Sequence, residues 1–317
     1  ASTTTAAIHR FPHARARTDR AGSVCGGTGM SPKIEKPAPK DNEVLIKVHA
    51  ATVIVGDCEA RSFAFPVWLW LPLRIFFGLL RPNKRIKILG QEMAGEIEAV
   101  GKDVKEFDAG DQVFGPMPLF GAYAEYVCVP STKPMATKPA NMTYEEACAV
   151  SVGGLNALHF LRKANVRSGE KVLIVGAAGN IGSFAVQIAK SFGAHVTGVD
   201  STEKLAMLRS IGADHVIDFT QEDFSRNGET YDIILDAVGK SPFSRSVRSL
   251  KRNGRYLLAN PRPSQMIRGL WLSKTSSRKV IFEFASYKTE ALLFLKELIE
   301  EGKMKTVIDK TYPLDQT

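Results

Sequence analysis

Closely spaced cysteines are missing from this chain of 317 residues. Its four cysteines, Cys25, Cys58, Cys128 and Cys148, are scattered, with no CxxC pair anywhere. That pattern excludes a zinc ribbon, a thioredoxin-type redox centre and a small disulfide-stapled fold, and it fits a reducing compartment. Internal repeats and low-complexity arrays are also absent. Acidic residues are missing from one long stretch: none occurs between Asp236 and Glu283, where lysine and arginine supply eleven positive charges. The net charge of +9 therefore sits almost wholly in this stretch. No homopolymeric basic arm and no aromatic RNA-binding motif accompanies it, so nucleic acid is not the expected partner. A solvated basic face, or one meeting phosphates or an acidic partner, is the reading the pattern supports.

What is present is the composition of a folded chain with a sizeable core, 44% hydrophobic and 24% charged, and a length that suggests about two domains. Residues 1–29 are rich in Ser, Thr, Ala and Arg and show no strand or helix period. They read as a disordered or transit-like segment, which leaves the compartment open between cytoplasm, chloroplast and mitochondrion. Ser62 to Leu80 is long enough to cross a bilayer. Pro66, Pro72 and Arg74 interrupt it, however, and Arg81, Lys84, Arg85 and Lys87 follow. An apolar wall over a substrate pocket is the favoured reading, with a membrane-surface contact through 62–87 as the alternative.

From residue 30 to about 150 the chain reads as a β-rich domain, with β-branched runs broken by Gly95, Gly101 and Gly110. Thr143 and Glu146 fit a capping box that opens a helix. Gly153 and Gly154 are expected to separate it from a second helical stretch. From Lys171 strands and helices of about ten residues alternate, which implies a parallel sheet with right-handed crossovers over 151–280. Residues 281–317 are expected to return to the first domain. The fold class is thus α/β.

The strongest chemical signal is VLIVGAAGNIGSFAVQIAK, residues 172–190. Gly176, Gly179 and Gly182 stand at three-residue intervals between an apolar strand and an amphipathic helix. The missing side chains let the strand turn tightly and let backbone approach a pyrophosphate, while the helix N-terminus faces its charge. Ala177, Asn180 and Ile181 complete the candidate phosphate cradle. Asp200, 18 residues after Gly182, ends the next strand. Its carboxylate suits a ribose diol and opposes a 2′-phosphate, whereas Ser201 and Lys204 suit that phosphate, so NADH and NADPH both stay open. Gly239 and the segment Leu258, Ala259, Asn260 end later strands, where an open α/β sheet presents its ligand crevice. No tyrosine is followed four residues on by lysine, which excludes the acid–base pair of short-chain dehydrogenases.

The β-rich front, the mid-chain glycine turn and the run FGAHVTGVDSTEKLAMLRSIGADHVIDF resemble the medium-chain dehydrogenase/reductase superfamily. Within it, EKPAPKDNEVLIKVHA, ILGQEMAGEIEAVGKDV, GAYAEYVCVP and TYPLDQ are most similar to the zinc-independent quinone oxidoreductases, the zeta-crystallin relatives. The resemblance covers residues 32–317. It implies a GroES-like catalytic domain plus a doubly wound Rossmann domain, often assembled as a homodimer or a larger assembly. The implied activity is NAD(P)H-dependent, metal-free reduction of a quinone or an α,β-unsaturated carbonyl. Where zinc enzymes of the superfamily carry ligands, this chain has Ile54 and Gln91, so no metal is expected and a zinc alcohol dehydrogenase is disfavoured.

This sequence departs from the family at several points. Ile54 stands where asparagine is common in the nicotinamide pocket, and Asn156 where threonine is usual. The family's opening strand is not evident before Met30, and the helix and strand that follow TYPLDQ in the family are missing. These departures favour a competing class, a non-catalytic NAD(P)H-binding structural or assembly subunit. No catalytic side chain is firmly assigned. The expected substrate pocket lies against the nicotinamide and is lined by Ile54, Phe63, Phe65, Trp68 and Tyr123, with Trp70 beside them. Tyr123 is read as structural before proton-donating, Asp57 as a fold-holding carboxylate, and Cys58 as a half-buried structural thiol.

Overall fold

The computed structural model describes residues 7–10, 35–62, 75 and 88–313. The chain divides into two units, each with its own sheet. One comprises Ala6–Val152, Lys288–Lys296 and Thr306–Thr317; the other comprises Gly153–Tyr287 and Glu297–Lys305. The segment after Ile281 is thus shared between the units, where the sequence suggests a single return to the first.

The first unit is built on a sheet of strands β1 (Ala7–Arg10), β2 (Glu43–Val53), β3 (Glu92–Val100), β4 (Gln112–Pro116), β5 (Tyr126–Pro130), β6 (Ala136–Thr137) and β13 (Lys310–Pro313). The order is β13-β1-β2-β3-β4-β6, with β5 also paired to β2. β2 runs antiparallel to β1, β3 and β5, while β1 and β13 are parallel. Register shifts at Leu45/Ile46 and Val48/Ala50 interrupt the β2–β3 ladder. Such irregularities bend a sheet. Val44, Ile46 and Val48 alternate inward from β2 and meet Met93 and Ile97 of β3, with Val113, Val129 and Met135. The strand β1 corrects the sequence reading, which found no strand before Met30. Four residues are too few for an alternation signal, and only long-range pairing with Ala50–Val53 and Lys310–Pro313 defines it.

The second unit holds six parallel strands in the order β12-β11-β10-β7-β8-β9. They are β7 (Lys171–Val175), β8 (His195–Asp200), β9 (His215–Asp218), β10 (Tyr231–Asp236), β11 (Leu250–Leu258) and β12 (Lys279–Ile281). The chain order reverses between β7 and β10, which is where doubly wound sheets open a crevice beyond their C-terminal strand ends. The central strands β7, β8 and β10 are buried on both faces, and Leu173, Ile234, Tyr256 and Leu258 belong to one core cluster. That is why they read as continuous apolar runs rather than alternations.

The capping box at Thr143 is present: the Glu146 amide donates to Thr143 Oγ1 and the Thr143 amide to Glu146 Oε2. The expected break at Gly153–Gly154 is not. A single helix runs Ser151–Lys163 through both glycines, and the short Tyr144–Cys148 helix ends before it. A Cβ on Gly153 would stand 2.7 Å from the Asn180 carbonyl oxygen, so this glycine marks a close approach of two helices. The apolar stretch 62–87 lies almost wholly outside the described residues, as do Phe63, Phe65, Trp68 and Trp70. Among the described residues no helix is long and apolar enough to cross a membrane.

Candidate functional site

β7 ends at Val175, and Gly176 turns the chain with a φ of +72° that other residues rarely adopt. The Gly176 and Ala177 amides both donate to the Val199 carbonyl at the end of β8, at 3.0 and 3.2 Å. The Ala178 amide donates to Asp200 Oδ2 at 2.9 Å, and the Gly179 amide to the Gly176 carbonyl at 3.1 Å. Gly179 then caps the Asn180–Ser191 helix, whose first backbone bond runs from the Ser183 amide to Gly179. The N–H groups of Asn180, Ile181 and Gly182 therefore precede the helical ladder and lie at the positive end of its dipole.

The three glycines do different work. A Cβ on Gly182 would sit 2.2 Å from the Gly176 oxygen and 2.7 Å from Ala177 Cα, so the helix packs directly on the turn. A Cβ on Gly179 would meet only the Gly176 oxygen, at 3.3 Å, and otherwise open space. This open notch beside three leading amides fits the pyrophosphate of a dinucleotide. Ala177, expected in the cradle, is turned inward: it is fully buried, its Cβ faces Gly198, and its amide is committed to Val199.

Asp200 is 6% exposed, and its two oxygens hold two different amides, those of Ala178 and Ser201. The carboxylate thus ties the glycine turn to the end of β8. Ser201 Oγ donates to Glu203 Oε1 at 3.0 Å, and Lys204, half-buried, closes the short turn Thr202–Lys204.

A second carboxylate works the same way two strands later in the chain, and the sequence reading missed it. Asp236, fully buried at the end of β10, accepts from the amides of Val238 (3.1 Å), Gly239 (2.7 Å) and Ser241 (3.1 Å) and from the Tyr256 hydroxyl (3.3 Å). Burial first, then the Asp236 charge, pushes the Tyr256 phenol above its ordinary value. Gly239 has φ +72°, and a Cβ there would stand 2.0 Å from the Asn260 oxygen. Asn260 closes the pair of loops by donating to the Ala237 carbonyl at 2.8 Å. Ala259 donates its amide to the Asp236 carbonyl, while Leu258 is a core residue. The missed signal was that YDIILD, like HVTGVD, reads as a strand ending in aspartate, here followed directly by the glycine-bearing AVGKS.

Asn156 donates from Nδ2 to the Tyr287 hydroxyl at 2.8 Å, one helical turn on from Gly153. Tyr287 carried no signal in the sequence, because 131 residues separate the partners.

In the first unit, Asp57 is buried and accepts from the Ile54 amide (3.3 Å), the Gly90 amide (3.2 Å) and Gln91 Nε2 (3.3 Å). Burial raises its carboxyl above the ordinary value, with these bonds pulling the other way. Tyr123 lies in a bend before β5 rather than on the strand expected for it. Its hydroxyl donates to the Thr52 carbonyl at 3.0 Å, and burial, then Asp57, holds the phenol far above the ordinary range. Glu92 is fully buried and accepts from the Thr52 hydroxyl and the Val152 amide. Ile54 is buried, while Cys58 is exposed rather than half-buried. On the Val55–Ser62 helix Asp57 points inward, which turns its neighbour outward.

Two families match the chain: Alcohol dehydrogenase GroES-like domain over residues 40–140, and Zinc-binding dehydrogenase over residues 211–317. The Chloroplast envelope quinone oxidoreductase homolog of Arabidopsis thaliana is 32% identical over 300 residues, covering 90% of this chain and 86% of that protein. The 2-methylene-furan-3-one reductase of Solanum lycopersicum is 30% identical over 294 residues, 90% of this chain and 68% of that protein. The structure of Escherichia coli quinone oxidoreductase complexed with NADPH superposes with a TM-score of 0.73 at 25% identity, covering 98% of this chain and 94% of that one.

Antiparallel β unit, parallel nucleotide-type sheet and glycine turn together define an oxidoreductase of the dinucleotide-dependent class. The chain belongs to the quinone oxidoreductase family of the medium-chain dehydrogenase/reductase superfamily. A zinc ion does not fit the side chains present. Ile54 offers no donor atom, Gln91 gives its amide to Asp57, and Asp57 is already committed to three N–H groups. Among the described residues no group of three or more His, Cys, Asp or Glu is arranged to hold a metal.

Proposed function

We propose that this protein reduces a quinone or an α,β-unsaturated carbonyl compound with NADPH, without a metal. The observation that carries the reading is the open notch at Gly179 in front of the Asn180, Ile181 and Gly182 amides. The relatives support the substrate class, one being named a quinone oxidoreductase homolog and another a furanone reductase. When bound, the nicotinamide cofactor supplies a hydride to the quinone or to the β-carbon of the enone.

The protein's own residues bind and orient. Asn180, Ile181 and Gly182 present N–H groups to the pyrophosphate. Asp200 and Asp236 hold their two loops rigid by accepting backbone amides. With both Asp200 oxygens engaged, its ability to select a ribose diol is reduced. The Lys204 cation then favours the 2′-phosphate of NADPH, while the Ser201 hydroxyl is given to Glu203. Tyr123 and Asp57 act as structural groups, because each is already committed to backbone. No side chain serves as an obligatory acid, and the proton comes from water, so most of the rate is positioning. We place the protein in an organelle, in keeping with relatives named chloroplast or mitochondrial.

The test is a nicotinamide fluorescence titration with NADPH and NADH in parallel, followed by 9,10-phenanthrenequinone at cofactor saturation. Tighter NADPH binding with oxidation on adding quinone is expected. Binding of either cofactor without oxidation across a quinone and enone panel would replace this reading with a non-catalytic subunit. Absence of binding would overturn the role given to the glycine turn.

A further inference from the structure

The helix Pro263–Thr275 lies against β12 through its Gln265 and Gly269 face. A Cβ on Gly269 would come within 2.8 Å of Val280, so the missing side chain lets the helix settle closely on the sheet. The opposite face carries Ile267, Leu270, Trp271 and Lys274, at the i, i+3, i+4, i+7 spacing of one helical stripe. Ile267 is 70% exposed, Leu270 57% and Trp271 67%. An amphipathic helix ordinarily buries its apolar stripe; this one turns three large apolar side chains outward.

Cations rim the stripe. Arg262 precedes the helix, Arg268 lies on it with its guanidinium 4.8 Å from the Phe243 ring centre, and Lys274 and Lys279 stand at its far end. All four are exposed. Elsewhere in the stretch lacking acids, Arg245, Lys251 and Arg255 are paired with Asp223, Asp232 and Glu170. The cations around the exposed stripe belong to a segment with no acidic residue of its own.

We propose that this helix face docks the protein on an anionic lipid surface. The apolar stripe enters the boundary between headgroups and acyl chains, and the rim cations meet phosphate charge. Exposed tryptophan and leucine flanked by Lys and Arg is the pattern of an interfacial helix. A second copy of the same face would bring the same cations against one another, which opposes self-association here. A nucleic acid could receive Ile267 and Leu270 only by opening its base stack, at a cost of a few kcal/mol per step. The inference is independent of the proposed reductase activity.

The experiment is co-sedimentation of the full chain with vesicles of phosphatidylcholine and phosphatidylglycerol, against phosphatidylcholine alone. Binding is expected only to the anionic vesicles, and it should weaken as salt shortens the Debye length from about 10 Å at 0.1 M. The double variants Leu270→Ser/Trp271→Ser and Lys274→Glu/Lys279→Glu should each lower the partition coefficient about tenfold or more. Both should keep the wild-type melting temperature and NADPH binding, since their side chains are exposed. In a Trp68→Phe/Trp70→Phe background, Trp271 fluorescence should shift to the blue on adding vesicles. No binding by the wild type would overturn the proposal. So would binding that survives both double variants, or that is lost only in Trp68→Ser/Trp70→Ser. A dimer in solution that Leu270→Ser/Trp271→Ser converts to monomer would overturn it too, and would give the stripe to a second copy.

Discussion

Gly179 and Gly182 lie three residues apart in one turn, and the structure predicts opposite consequences for the same substitution. In Gly182→Ala the new Cβ meets the Gly176 oxygen at 2.2 Å, with Ala177 Cα at 2.7 Å and its carbonyl carbon at 2.8 Å. All three are backbone, so nothing can swing aside, and the helix must lift off the turn. Overpacking of this kind costs about 1–3 kcal/mol, and the contacts here place it near the upper end. In Gly179→Ala the φ of −77° suits alanine and the nearest atom is 3.3 Å away. The only stability loss is that of a poorer N-cap, about 0.5–1 kcal/mol. The added methyl, however, occupies the notch where the pyrophosphate would lie. Thermal melting and an NADPH fluorescence titration on both variants separate these effects. Gly182→Ala should lower the melting temperature by about 6–10 °C. Gly179→Ala should lower it by no more than about 4 °C, yet raise the NADPH Kd at least about tenfold, equivalent to 1.4 kcal/mol. An unchanged Kd in Gly179→Ala would refute the placement of the pyrophosphate. A Gly182→Ala protein melting like the wild type would refute the packing argument.

Three further outcomes follow from the hydrogen bonds. Asp200→Asn sets an amide donor against a backbone N–H in a buried site, at about 1–3 kcal/mol. As a turn brace it should weaken NADH and NADPH by the same factor, whereas a switch of preference toward NADPH would show that Asp200 reads the ribose. Tyr123→Phe removes the bond to the Thr52 carbonyl and should cost about 1 kcal/mol of stability with turnover within a few-fold; a thousandfold loss of kcat would make Tyr123 a proton donor. Burial raises the Asp57 carboxyl above 3.8, so the folded unit keeps its proton to a higher pH than the unfolded chain. The stability this site contributes therefore rises as the pH falls through the window between its folded value and 3.8, and is lower above it. Urea unfolding of Asp57→Asn across that window should lose this slope, and a pH dependence identical to the wild type would count against it.

Much of the nucleotide unit was legible because its signals are local. Strand, glycine turn and helix succeed one another within twenty residues, and the requirement for absent side chains at 176, 179 and 182 is met by residue type alone. The capping box at Thr143 and the fold-holding reading of Asp57 are likewise matters of short-range chemistry. The division of labour among the glycines was not legible. Whether a Cβ meets backbone or open space depends on how closely the helix sits on the turn. Nor was the inward direction of Ala177, which is set by Gly198 on the neighbouring strand.

Sequence alone thus determined the two sheets, the glycine turn between strand and helix, and the family. These rest on residue spacing and on conformations that only certain residue types allow. Tertiary structure decided everything that depends on partners far apart in the chain. It decided that Ala7–Arg10 is a strand, since pairing and not alternation defines it. It decided that Gly153 sits within a helix because Asn180 lies against it. It also decided that Asp200 and Asp236 are braces, because a carboxylate's role is set by which donors the fold brings within 3 Å of its oxygens.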